Sequence, residues 1–472
     1  MAFSKKLLTR RNQHRGWRDY QASLPKRYTR KPRPQRRFAF RLFGAALLAL
    51  VAVFALFGFI RNTGMPHSPV ALSPAGEATE PAPTVSGPLD KEQLRQLLDE
   101  GMFSNLTEKD IALPAGGGTL HVETTLDPAL QNYLLETIDR KNSRYVGIVV
   151  MEALSGRVLA LAGYDRTDDL SNPCLRSEYP AASIFKIVTA AAAVDQCGYS
   201  ADSPVQFNGA KHTLYKRQLT NKVDRHTTTI PLREAFADSI NPVFGKLGEL
   251  RLGKPLLEQA AADFGFNQSL DFDLVLPPSQ FQISDTPYNW AEVASGFNRQ
   301  TTLSPLHGAA LAAAVLNGGR MVTQTLVERI ADEQGQVLYR SSPTPEFRQI
   351  MSARAAAAVE QMMESTITSG TARKTFRGHD KDKVLSHLQI GGKTGSIGSS
   401  SQDLRYDWFV GFAGEDQGEN QVVVAVMVAH EEFIGIRASD YARRAMTYYF
   451  ANPVTKNAQP AGGGALTAAR AI

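Results

Sequence analysis

The chain has 472 residues, 43% of them hydrophobic and 21% charged, an ordinary globular balance with room for one large or two medium domains. Its formal net charge of +6 is unevenly placed: the first 41 residues hold fourteen Lys/Arg against the single Asp19, which leaves about −7 for the remainder. That distribution excludes a nucleic-acid surface downstream of the arm.

From Leu42 to Ile60 the sequence carries no charge. As a helix it would be roughly 28 Å long, enough for a hydrocarbon core of about 30 Å. Arg36, Arg37 and Arg41 precede this stretch and only Arg61 follows closely, so the positive-inside rule keeps the arm cytoplasmic and exports the rest. The span is too long, and too poor in a following small-x-small site, for a cleaved signal peptide. Residues 61–88 are rich in Pro, Ala, Ser, Thr and Glu and read as a disordered linker. Leucines at helical spacing in 89–110 predict a short amphipathic element.

His121–Lys141 predicts a strand and then a helix, and Tyr145–Met151 with Arg157–Ala162 predicts a hairpin around Ala153–Gly156. The first hairpin strand is almost continuously apolar, which implies a sheet covered on both faces. Pro180 opens an alanine-rich helix that runs to Cys197-Gly198 and carries Ser183 and Lys186 in its first turn. Residues three apart share a helix face, so a hydroxyl and an amine stand side by side at the positive end of the helix dipole. Cys174 and Cys197 are the only cysteines and bracket this pair. An oxidising compartment would let them form a disulfide worth on the order of 3 kcal/mol; the alternative is two free thiols.

Further along, Asn241-Pro242 breaks a helical run and leaves Ser239 and Asn241 in a connection able to face a cleft. Pro305–Leu316 predicts another buried helix. Leu388–Gly392, Tyr406–Ala413 and Gln421–Ala429 predict three late strands, followed by a helix from about Asp440 to Phe450. Lys393-Thr394-Gly395-Ser396 continues the first of these strands, where alternation puts Lys393 and Gly395 on one face and Thr394 and Ser396 on the other. Gly392-Lys393-Thr394 is not a phosphate-binding loop, since His387 stands where that loop needs glycine and the motif continues a strand. The expected fold is α/β in the α+β sense: a five-stranded antiparallel sheet flanked by helices, a mostly helical second lobe, and an active site between them, behind a single transmembrane helix.

In this order, Ser183-x-x-Lys186, Ser239-x-Asn241 and Lys393-Thr394-Gly395 resemble the three signatures of the penicillin-recognising serine acyltransferases. Asp127 within TTLDPALQ, the hairpin sequence, Thr301–Gly319, Ser369–Lys374 and Asp407–Glu415 extend the resemblance to the transpeptidase domain of high-molecular-mass penicillin-binding proteins, over roughly 118–450. Two features depart from the family pattern: Ala181-Ala182 replaces the usual Pro-Gly before the nucleophile, and only about sixty residues separate Ile60 from the transpeptidase-like region. The second leaves no room for a glycosyltransferase domain or a long pedestal. The expected division is a basic cytoplasmic arm (1–41), a transmembrane anchor (42–60), a disordered linker (61–88), a juxtamembrane segment (89–117), the transpeptidase domain (118–450) and a disordered tail (451–472).

The resemblance implies that Ser183 is the nucleophile, that Lys186 takes its proton, that Ser239 relays a proton to the leaving group and that Asn241 binds the peptide. It implies an oxyanion hole from the backbone N–H groups of Ser183 and Ser396, and substrate-carboxylate binding at Lys393, Thr394, Gly395 and Ser396. No metal or organic cofactor is called for. The implied partners are D-Ala-D-Ala stem peptides of peptidoglycan and β-lactams, the inner membrane, and a glycan-strand polymerase, with the catalytic domain outside the cytoplasm. The rival readings are a D,D-carboxypeptidase, a β-lactamase or β-lactam sensor, and a wall-synthesis scaffold that retains its catalytic set.

Overall fold

Apolar runs such as 146–151 and 422–429 leave no face for water, and both become inner strands of one sheet buried on its two sides. A computed structural model describes residues 87–452 except 117, 169, 400–402, 416, 417 and 419. The basic arm, the apolar stretch 42–60, the linker through 86 and the tail beyond 452 lie outside the described residues. Among the described residues no helix is long and apolar enough to cross a membrane.

In chain order the elements are α1 (Lys91–Leu97), β1 (Asp110–Ala115), β2 (Gly118–Thr124), α2 (Pro128–Thr137), β3 (Ser143–Glu152), β4 (Val158–Asp165), a 3₁₀ turn (Ala182–Phe185) and α3 (Lys186–Cys197). There follow β5 (Pro204–Phe207), β6 (Thr228–Pro231), α4 (Leu232–Ala237), α5 (Asn241–Leu247), α6 (Gly253–Asp263), α7 (Pro287–Ser295) and α8 (Pro305–Leu316). The last part comprises β7 (Arg320–Val322), β8 (Val327–Ala331), β9 (Val337–Arg340), β10 (Phe347–Gln349), α9 (Ala353–Thr368), β11 (Leu388–Gly398), β12 (Arg405–Glu415), β13 (Gln421–His430) and α10 (Ala438–Ala451).

The main sheet has the order β11-β12-β13-β3-β4, and every pairing is antiparallel. The amino-terminal hairpin thus joins the late strands through β3 and β13, which makes β11 an edge. One face packs Val146, Ile148, Val424 and Phe409 against Leu130 and Leu134 of α2 and Tyr441 and Ala445 of α10. The other packs Val149, Val410, Ala425 and Met427 into the core that also holds α3 and α8. Local signals set the element starts: Asp127 Oδ1 accepts from Ala129 N (3.0 Å) and Leu130 N (3.1 Å) at the start of α2, and Ser304 caps α8 ahead of Pro305.

In a second sheet, β1-β2-β8-β9, only the β2 strand near His121 was foreseen, because the other strands are short and only half buried. It folds residues 89–115 onto the domain, with Leu94 and Leu97 of α1 in the main core.

The disulfide expected between Cys174 and Cys197 is a correction: both thiols are free. Cys174 Sγ is fully buried and donates to the carbonyls of Ile148 (3.4 Å) and Ala162 (3.5 Å), so it points into the sheet. Cys197 sits in the last turn of α3, a twelve-residue helix that carries it about 16 Å beyond Lys186. Burial pushes the Cys174 thiol up, further from the reactive thiolate. Denatured without reductant, the protein is expected to take up two alkyl groups per molecule by mass spectrometry; a chain that takes up none would restore the disulfide.

Candidate active site

The chain approaches Ser183 under constraint. Pro180 O accepts from the indole N–H of the buried Trp408 on β12 (2.9 Å), and Ala181 N donates to Thr301 O (2.9 Å). Ala182 then takes φ 48°, the left-handed region that costs an L-residue roughly 1–2 kcal/mol, and begins the 3₁₀ turn leading into α3. Ser183 is half buried, whereas Lys186 is wholly buried.

Lys186 Nζ lies 2.8 Å from Ser183 Oγ, 2.9 Å from Asn241 Oδ1 and 2.5 Å from the carbonyl of Ser295 at the end of α7. Two of these partners are pure acceptors. As a neutral amine, with two N–H bonds and one lone pair, Lys186 would satisfy Asn241 and Ser295 with its donors and turn its lone pair to the Ser183 hydroxyl; as an ammonium it would donate to all three. Burial holds Lys186 well below the ordinary lysine range, and the like charge of Lys393 adds to the effect.

Ser239 and Asn241 converge on the same amines. Lys393 Nζ lies 3.1 Å from Ser239 Oγ and donates to Thr394 O (2.8 Å). Burial brings Lys393 down to about 7, with Asp238 opposing the shift. The ring of Phe244 lies 5.5 Å from Lys186 Nζ and that of Phe236 lies 5.4 Å from Lys393 Nζ, an apolar floor beneath both. Ser239 has φ 54°, a second strained position in the site. Asn241 is fixed by Nδ2 donating to His212 O (3.1 Å) and its backbone N–H donating to Lys211 O (2.7 Å).

The edge strand β11 closes the other side. Thr394 Oγ1 lies 2.5 Å from Thr371 Oγ1, and Ser396 is exposed, its Oγ accepting from Arg405 Nε (3.0 Å). A Cβ at Gly395 would lie 3.4 Å from both Ala182 Cβ and Ile184 Cγ1, so β11 runs directly along the Ser183 turn. The Ser183 and Ser396 N–H groups belong to these two adjoining segments.

Three residues of the site were missed in the sequence: Ser295, Gly296 and Thr371. Thr371 lies in the Ser369–Lys374 run just upstream of β11, and Ser295-Gly296 reads as a helix end and nothing more. Gly296 has φ 65°, and a Cβ there would sit 1.9 Å from Ala182 O. Only glycine lets α7 approach the turn so closely.

A family model described as the penicillin binding protein transpeptidase domain matches residues 146–452. Stage V sporulation protein D of Bacillus subtilis is 26% identical over 352 residues, covering 68% of this chain and 51% of that protein. The peptidoglycan D,D-transpeptidase PbpA of Mycolicibacterium smegmatis is 26% identical over 355 residues, covering 67% of this chain and 68% of that protein. The chain therefore spans about half the length of the first relative and about two thirds of the second. Among solved structures, the D,D-transpeptidase domain of a peptidoglycan glycosyltransferase from Eggerthella lenta has a TM-score of 0.56 at 23% identity, covering 71% of this chain and 83% of that one. PBPA from Mycobacterium tuberculosis has a TM-score of 0.56 at 21% identity, covering 70% and 82%. Both structures share the fold.

Two predictions follow from this geometry. Ala182→Gly is expected to raise the thermal midpoint, because relieved left-handed strain exceeds glycine's added unfolded-state entropy by about 0.5–1 kcal/mol. Gly296→Ala drives a methyl into the Ala182 carbonyl and is expected to cost at least about 2 kcal/mol; calorimetry of the two variants measures both. The second concerns pH. Between about 7, where burial holds Lys393, and the ordinary lysine value near 10.4, the unfolded chain binds a proton that the folded chain does not. Stability therefore rises with pH through this window, and the increase in thermal midpoint from about pH 7 to about pH 9 is expected to be smaller in Lys393→Met.

Proposed function

The chain belongs to the penicillin-binding protein transpeptidase-domain family, and on that premise we propose that it is a D,D-transpeptidase that cross-links peptidoglycan stem peptides and is acylated by β-lactams. The observation that carries this reading is the Lys186 amine, wholly buried 2.8 Å from Ser183 Oγ and held between Asn241 Oδ1 and the Ser295 carbonyl. Ser183 Oγ attacks the carbonyl of the penultimate D-alanine as its proton passes to Lys186. The backbone N–H groups of Ser183 and Ser396 take the oxyanion, a contribution of roughly 10²–10³ in rate for one donor. As the C–N bond breaks, the proton moves through Ser239 to the departing D-alanine nitrogen, leaving an ester on Ser183. An amine of a neighbouring strand then attacks that ester and loses a proton to the same lysine; the C–Oγ bond breaks as that proton returns to Ser183, and the cross-link is formed.

Lys393, when protonated, together with Thr394 and Ser396, receives the substrate's terminal carboxylate; a β-lactam presents the same carboxylate beside a strained amide. Gly395 lets β11 run close along the Ser183 turn. Asn241, tied to His212 O and Lys211 O, holds the peptide amide. The apolar stretch 42–60 is proposed to anchor the domain outside the cytoplasm, facing its polymeric substrate and a strand polymerase.

Fluorescent penicillin is expected to label the full-length chain in membranes, Ser183→Ala to remain unlabelled, and Lys186→Ala to be labelled at least about 10²-fold more slowly. On lipid-linked, polymerised substrate the wild type is expected to give cross-linked dimers. Free D-alanine without dimers would replace cross-linking with trimming.

A further inference from the structure

Between β5 and β6 the chain makes an excursion over residues 208–227 that the catalytic scheme leaves unused. It holds Lys211, Lys216, Arg217, Lys222 and Arg225 against the single acid Asp224, in a chain whose remainder after the first 41 residues carries about −7. Its first turn is bonded to the catalytic cleft, since the carbonyls of Lys211 and His212 hold Asn241.

The excursion is a built element. Gln218 is buried; its Oε1 accepts from Tyr215 N (2.9 Å) and Thr213 Oγ1 (3.1 Å), and its Nε2 donates to Asn208 O (2.9 Å) and Ala210 O (3.3 Å). Leu214 and Leu219 pack on Ala291 and Tyr288 of α7, and the Tyr288 hydroxyl donates to Leu214 O (2.8 Å). The far end of α7 carries Ser295 and Gly296, which touch Lys186 and Ala182, so the basic face starts at the cleft and extends about one short helix away from it.

Four of its five basic side chains point to solvent without an acidic partner among the described residues. Lys211 pairs with Asp238 (2.6 Å), but among the described residues no carboxylate pairs with Lys216, Arg217, Lys222 or Arg225. Lys216 lies over the ring of Tyr288 (5.7 Å) and Arg217 over that of Tyr215 (5.2 Å), contacts that orient a cation and leave its charge exposed. Asp224 Oδ1 is turned back to accept from His226 N (2.8 Å). Glu249, which acts electrostatically on Lys216, is itself partly buried, and burial raises its carboxyl toward the neutral form.

We propose that this excursion is a docking strip for the carboxylates of stem peptides repeated along an un-cross-linked glycan strand, beside the catalytic cleft. The proposal rests on the transpeptidase reading of that cleft. A strand bearing one terminal carboxylate per stem peptide is a multivalent anion, which the net acidic remainder of the domain repels and this strip attracts. The strip aligns one strand while the stem peptide at Ser183 reacts, and electrostatic complementarity of this kind acts chiefly on association.

The test compares the full-length wild type with a Lys216→Gln, Arg217→Gln, Lys222→Gln, Arg225→Gln variant, measuring co-sedimentation with un-cross-linked peptidoglycan strands and acylation by benzylpenicillin. The variant is expected to bind strands about tenfold more weakly at low ionic strength and to lose most of the salt dependence seen in the wild type, while its acylation rate stays unchanged. Equal binding by the two proteins would overturn the proposal, as would wild-type binding that survives amidation of the strand carboxylates. Retention by poly(glycerol phosphate) but not by the strands would overturn it in favour of a phosphate polymer. Failure of benzylpenicillin to acylate the wild type would instead remove the transpeptidase reading, so the two ideas fail separately.

Discussion

Everything in the site depends on an amine held in a dry place without an acid. Burying a charged ammonium unpaired costs several kcal/mol, and among the described residues Lys186 meets no carboxylate; its nearest charged influence is a second buried lysine. The inexpensive state is the uncharged one. In that state the nitrogen can act as a base, and with its two N–H bonds on Asn241 and Ser295 the lone pair would be left for Ser183. The aromatic floor of Phe236 and Phe244, the alanine-rich α3 and the sheet behind α8 together keep water from restoring the charge.

That arrangement is assembled at the expense of backbone comfort. Ala182 and Ser239 both occupy left-handed φ values, one just before Ser183 and the other beside Lys393. Ala182 could not relax without moving its neighbours, because Gly296 lies close against the Ala182 carbonyl and β11 runs along the same turn. Strain here is held by packing from two sides, which is how a side chain on a short 3₁₀ turn keeps a defined position.

Much of this was legible in the sequence, and the reasons differ by residue. The strands around Val149 and Val424 announced themselves because a strand covered on both faces cannot hide its apolar run. Ser183 and Lys186 were found because a helix start and a three-residue spacing suffice to place two side chains together. Lys393 was found through a glycine-bearing strand. Ser295 and Gly296 escaped because their contributions are a carbonyl oxygen and an absent methyl, neither of which has a residue-type signature. The disulfide reading failed because compartment and loop length say nothing of where a thiol points, and Cys174 points at carbonyls of the sheet. Strands β1, β8 and β9 escaped because half-buried short strands carry little periodicity.

The contacts that neutralise the amine are far apart along the chain: Lys186 meets Asn241 and Ser295 at separations of 55 and 109 residues, and Lys393 meets Ser239 at 154. None can exist before the tertiary structure closes. On the proposed reading of Ser183 as the nucleophile, a nascent or misfolded copy carries an ordinary serine beside an ordinary ammonium and would not react with acyl donors. A covalent probe of Ser183 would then count mature molecules and pass over the rest.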